Sequence, residues 1–181
     1  MTSQRVRKMI YAALFLAFAM VLPWIAGQFP EMNKILCPMH IPVLLCGFLC
    51  GWPWGLAVGF IAPLLRSVVF GVPAMFPDAV VMSFELATYG AAAGLLYRLL
   101  PRKGWSIYVS LILAMLAGRA VYGIVYLLIT GLGLVSAEVT WTFFWTKAFV
   151  KPLPGIILQI VLIPVLVMVL ERAGMSLNRK K

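Results

Sequence analysis

Residues 38–71 read PMHIPVLLCGFLCGWPWGLAVGFIAPLLRSVVFG. The stretch is almost wholly apolar, Pro and Gly recur through it, and it carries one arginine, Arg66, with apolar neighbours on both sides. Water-soluble cores do not read this way. Two apolar arms flank the turn-like Gly51-Trp52-Pro53-Trp54, the pattern of a tight hairpin of two helices inside a bilayer. Backbone groups freed by Pro and Gly must then be satisfied by neighbouring helices. The glycines let those neighbours approach closely.

The rest of the chain extends the same chemistry. It has 181 residues, is 64% hydrophobic and 11% charged. A soluble domain of this length has too little interior to hide that much apolar surface, so the composition is that of an integral membrane protein. A net charge of +10 would point to nucleic acid in a soluble protein. Here the basic residues cluster in short loops and tails, which is a topology signal, and no nucleic-acid partner is expected. Arg5, Arg7 and Lys8 precede the first apolar run as in a signal peptide, but no small-x-small cleavage site follows. The run is read as a retained span. The three cysteines, Cys37, Cys46 and Cys50, and the one histidine, His40, are too few for a tetrahedral zinc site, and buried thiols are the expectation. No metal or cofactor is called for.

Six apolar segments follow one another: roughly Met9 to Ile25, His40 to Gly51, Trp54 to Phe70, Ala79 to Leu99, Ser106 to Leu132 and Phe143 to Leu170. They predict an all-α, membrane-embedded six-helix bundle, one domain over residues 1–181. A span needs about 17–25 residues. The second segment is short, so it tilts, thins the membrane locally, or forms a re-entrant hairpin with the third. Either way both termini fall on one side. That side holds Arg5, Arg7, Lys8, Arg98, Arg102, Lys103, Arg172, Arg179, Lys180 and Lys181. The opposite loops hold Glu31, Lys34, Asp78 and Glu138. The positive-inside rule therefore places both termini in the cytoplasm. Two outer loops, Gln28 to Met39 and Gly71 to Asp78, contain apolar residues suited either to lids over a pocket or to lying against headgroups.

Ionisable groups inside spans are costly and usually mark function. They are Arg66, Glu85, Arg119 and Lys147, with Lys151 beside them. At about 1.5 Å per residue, all fall in the outer half of the bundle. Cations exceed anions there, which favours an acidic ligand. Internal pairing of Glu85 with Arg66 or Arg119 is the structural alternative. Lys147 can also snorkel to water. Arg119, Tyr122 and Tyr126 recur at helical spacing, so one face offers a cation and two phenols. Gln159 is the polar residue midway along the last segment, suited to helix packing or to a ligand. Asn33 and His40 sit in or beside the first outer loop, and a lone histidine is more often structural. Neither HExxH nor GxSxG occurs, and His40 has no evident catalytic partner. The chain does not read as an enzyme.

The short basic N-terminus, the Ala-rich first helix, PMHIPVLLCGFLCGWPWGLAVGFIAPLLR, FPDAVVMSFELATYGAAAGLLY and PGIILQIVLIP together resemble the substrate-binding S component of energy-coupling factor (ECF) transporters. The resemblance covers nearly the whole chain and rests on layout and loop placement as much as on motifs. It implies a six-helix subunit of a prokaryotic cell membrane that imports a vitamin or related micronutrient, binds it near the outer face, and gates it with the outer loops. It also implies docking on a membrane coupling subunit attached to two ATPases, followed by toppling to release substrate inside. The family's AxxxA docking signature falls on Ala13 and Ala17, small residues that leave a groove for a partner helix. By position, its substrate contacts fall on Asn33, Glu85, Arg119, Tyr122, Lys147 and Gln159. With Arg66, the surplus of cations makes pantothenate the leading candidate, ahead of a pyridine or pyrimidine vitamin, riboflavin or a queuosine-type precursor. The alternative from another class is a membrane-embedded enzyme acting on lipid or peptide. An assembly role is a third.

Overall fold

The computed structural model describes residues 2–26, 37–101, 104–134, 153–175 and 177–178. Six α-helices lie among them: α1 (Thr2–Ala26), α2 (His40–Cys50), α3 (Trp52–Phe70), α4 (Val80–Leu99), α5 (Trp105–Gly131) and α6 (Leu153–Arg172). Five are long and apolar enough to cross a membrane; α2 is not. Its 11 residues rise only about 16 Å, roughly half of a bilayer's hydrocarbon core. The all-helical membrane bundle expected from the sequence is what the chain forms. In hydrocarbon, helices are the way for such segments to satisfy their own backbone groups.

Several boundaries differ from the apolar runs. Helix α1 begins at Thr2 and so carries Arg5, Arg7 and Lys8 on its first turns rather than in a loop. Nothing in that basic prefix breaks a helix. The turn expected over residues 51–54 contracts to Gly51, whose φ of 99° suits glycine, and α3 starts at Trp52. Pro53 then sits in the first helical turn, where its missing N–H costs nothing. Helix α3 ends at Gly71, left-handed at φ 69°, with its N–H on Ser67 O. The outer connection that follows is shorter than expected. It winds into a wide turn over Met75–Ala79, with Phe76 extended, that leads straight into α4. The described part of the last helix starts at Leu153, and residues 143–152 lie outside the described residues.

Helix α4 is central, packed against α2, α3 and α5. Towards the end bearing the basic residues, α2, α3 and α4 touch through their backbones at Gly47, Gly55, Gly59, Gly90 and Gly94. A Cβ at Gly55 would stand 2.5 Å from Gly90 O and 2.7 Å from Gly47 Cα, and one at Gly94 would stand 2.5 Å from Trp52 N. Only a hydrogen fits at these crossings, which lets the helices approach as small residues do in other membrane pairs.

The tail after α6 folds back onto this seam. Leu177 N–H donates to Leu49 O at 2.8 Å, one of the carbonyls the end of α2 leaves unpaired. Asn178 Nδ2 donates to Gly94 O at 3.0 Å and lies 3.5 Å from Gly47 O. Tyr97, fully buried on α4, donates its hydroxyl to Glu171 of α6 at 2.7 Å. Large apolar side chains such as Phe18, Leu116, Ile124 and Val161 point outward, as lipid-facing surfaces require. Cys46 and Cys50 are buried in the α2 core, as expected of apolar thiols.

Candidate functional site

Two antiparallel neighbours set the site's depth. Glu85 stands fourteen residues before the end of α4 at Leu99, and Arg119 fourteen after the start of α5 at Trp105. Both therefore lie about 21 Å from the basic end and meet at one level. Arg119 Nη1 sits 2.8 Å from Glu85 Oε1. Glu85 is 2% exposed and Arg119 8%. Such a pair must be well hydrogen-bonded to offset the loss of water.

The additional bond comes from Tyr89, four residues after Glu85 and on the same face of α4. Its hydroxyl donates to the same Oε1 at 2.8 Å. The ring passes over Gly118, where any side chain would fall inside it. The glycine that precedes Arg119 thus gives Tyr89 its route to the carboxylate. The third group is His40, the first residue of α2. Its Nε2 lies 3.9 Å from Glu85 Oε1, within ion-pair reach and beyond a hydrogen bond. Its ring leans against Tyr89 at 5.3 Å and 52°. His40 is 4% exposed, and neither ring nitrogen has a partner among the described residues. Its backbone N–H donates to Cys37 O at 3.0 Å. Burial pushes the Cys37 thiol up to about 11; nearby Arg119 pulls it down and Glu85 pushes it up, so the start of α2 lies within the field of the pair.

Of the two partners considered for Glu85, the structure takes Arg119. Arg66 instead turns away and donates from Nε to Val72 O at 2.9 Å, tying the end of α3 to the loop after it, while its Nη1 stays buried without a partner. Tyr122 is half-buried and stacks on Tyr126 at 6.0 Å and 20°. The two join Val81 and Ile129 in a small apolar cluster between α4 and α5, separate from the main core. Gln159 is buried on α6 with its Oε1 unpartnered. It stands thirteen residues before Arg172, close to the level of the ion pair. Asn33, Lys147 and Lys151 lie outside the described residues.

Tyr89 was not singled out in the sequence, and His40 was weighed there as more often structural. The four-residue spacing of Glu85 and Tyr89 was a usable signal. Nothing local placed His40 beside Glu85, since that contact depends on the crossing of α2 and α4. Ser83 bonds back to Ala79 O at 2.7 Å and takes no part. Among the described residues no three His, Cys, Asp or Glu gather as metal ligands. The arrangement holds buried charge, and Arg119 Nε, Arg66 Nη1, both His40 nitrogens and Gln159 Oε1 are buried with no partner among the described residues.

Ala13 and Ala17 are exposed on α1, whereas Ala12, Phe15 and Ala19 face the bundle. The small-residue pair therefore looks away from the protein's own core.

The family model of the ECF transporter substrate-specific component matches residues 7–167. Comparison with curated proteins gave no match, and comparison with solved structures gave none. The family match spans most of the chain, and the chain belongs to the ECF transporter substrate-specific components: a substrate-binding membrane subunit, not an enzyme.

Proposed function

We propose that this ECF substrate-specific component captures a small acidic micronutrient at the Glu85–Arg119 level of the bundle and delivers it to an ATP-driven module. The observation that carries this reading is the buried ion pair with unused donors around it. Arg119 Nε and Arg66 Nη1 have no partner among the described residues, although both are buried. Unpaired buried donors are expensive, and a carboxylate is the acceptor that suits a guanidinium best. Glu85 occupies Arg119 without a ligand, and an incoming acid competes for it. Tyr122 and Gln159 are proposed to add an aromatic wall and a polar contact at that level. Asn33 and Lys147 are proposed to contribute from the sequence positions they hold. Pantothenate, with one carboxylate and several hydroxyl and amide groups, is the leading candidate.

The test is titration calorimetry of pantothenate into the detergent-purified protein, beside mass spectrometry of small molecules that co-purify. Saturable binding that weakens by an order of magnitude or more in Arg119→Ala is expected, since a charge-assisted bond contributes about 1.5–3 kcal/mol. A neutral or cationic co-purified ligand, or unchanged affinity in a folded Arg119→Ala, would make the ion pair purely structural.

Docking on the coupling subunit is proposed for the Ala13–Ala17 face. Its exposure on α1 supports a helix partner that fits against small residues. Ala17→Trp should leave ligand binding intact and abolish uptake in cells that carry the whole transporter. Normal uptake at normal expression would remove the assignment.

A further inference from the structure

An acid that takes Arg119 creates a problem for Glu85. Its Oε1 is approached by Arg119, by Tyr89 and by His40, and of these only Arg119 carries a permanent charge. Withdrawing a cation from a buried carboxylate leaves an uncompensated charge, which is among the costliest changes a protein interior can suffer. Tyr89 can only go on donating its hydroxyl. His40 is 3.9 Å away and buried, and neither of its ring nitrogens has a hydrogen-bond partner among the described residues.

We propose that His40 is the stand-in cation of the site: when an acidic ligand captures Arg119, His40 takes one proton from water and replaces Arg119 as the counter-charge of Glu85. This rests on the reading that the ligand is an acid that pairs with Arg119. The charges balance. Before binding, Glu85 and Arg119 cancel. Afterwards the ligand carboxylate cancels Arg119 and the His40 imidazolium cancels Glu85. One proton enters with each ligand carboxylate, and no bond forms other than the new N–H.

Among the described residues no other charged group is placed to do this. On α4 the neighbours of His40 are Glu85 and Tyr89; on α5 Arg119 meets the same Glu85 oxygen. Arg66 of α3 turns away, its Nε bonded to Val72 O. Helix α6 brings the neutral Gln159 to this level, and the basic residues of α1 stand at the opposite end. Cys37, next to His40 on its own strand of chain, is a thiol that burial keeps protonated.

His40 is the only histidine in the chain, so its NMR signal needs no assignment. The experiment titrates that imidazole in detergent, without ligand, in the parent, Arg119→Ala, Glu85→Gln and the double variant. Loss of Arg119 imitates its capture. The midpoint should rise by about one pH unit or more in Arg119→Ala, and fall in Glu85→Gln, where only the cation remains. The double variant should titrate below Arg119→Ala. Equal midpoints in parent and Arg119→Ala would overturn the proposal. Should Arg119→Ala fail to fold, Arg119→Gln and the Glu85→Gln arm decide in the same way. Pantothenate is then titrated at pH 8 in two buffers of different ionisation enthalpy. Uptake of one proton per ligand, lost in His40→Gln, is expected. Binding without uptake, or uptake that persists in His40→Gln, rejects His40 as the carrier. Absence of any pantothenate binding counts against the acidic-micronutrient reading, and the ligand-free titration still decides the role of His40.

Discussion

Helix α4 takes part in two junctions built on opposite principles. In one half of the bundle Glu85, braced by Tyr89 of its own helix, pairs with Arg119 of α5 and stands 3.9 Å from His40 of α2. One turn further on, Gly90 and Gly94 have no side chain at all, and α2 and α3 come to rest on bare backbone. The first junction depends on which groups are present, the second on their absence. Rearrangement is open to the first, because an ion pair can exchange partners. It is closed to the second, because backbone contact leaves nothing to exchange. The glycine seam is the fixed part of the bundle, and the ion-pair level is the part a ligand can reorganise.

The sharpest way to break this contrast is Gly90→Leu. A Cβ there would collide with Gly55 O, and a leucine would force α3 off α4. Overpacking against backbone should cost at least about 3 kcal/mol, and no monodisperse peak should survive size-exclusion chromatography. Gly131→Ala, with nothing within 4 Å of the added carbon, should elute as the parent does. Next in size is Arg119→Ala. Leaving Glu85 buried without its cation should lower stability by about 3–5 kcal/mol in denaturant melts in detergent. The double replacement Glu85→Gln/Arg119→Met should recover most of that loss while abolishing ligand binding, because an apolar or neutral fill has no charge to strand. Recovery of binding together with stability would show that the pair serves assembly alone. Tyr89→Phe removes one hydrogen bond to a carboxylate and should cost about 1.5–3 kcal/mol by thermal melting. The smallest effect is expected for Asn178→Ala. Loss of its bond to Gly94 O should cost about 1 kcal/mol and appear as faster hydrogen exchange confined to the ends of α2 and α4.

The membrane class, the helix number and the shared level of Glu85 and Arg119 were all legible in the sequence, for the same reason. Each depends on hydrophobic length and on rise per residue, which are properties of a segment alone. Glu85 and Arg119 could be placed at one level from residue counts. The choice of Arg119 over Arg66 could not, because it turns on how α3 and α5 rotate about α4. His40 was hidden by the same limit. The seam was half legible: the glycines of residues 38–71 announced close approach, but their partners Gly90 and Gly94 lay in a segment singled out for its glutamate. Boundaries failed where proline helps to start a helix, at Pro53.

The bond between Asn178 and Gly47 joins residues 131 positions apart in the chain. A ribosome adding about 5–20 residues per second makes the asparagine roughly 7–26 s after the glycine. Helix α4 is complete at Leu99, so through the later part of that interval α2, α3 and α4 are all made while carbonyls at their ends still await the donors that Leu177 and Asn178 bring. The seam must therefore be assembled first and sealed last. A nascent chain stalled before residue 177 would expose that end of α2 and α4 to whatever membrane chaperone or protease surveys unfinished bundles.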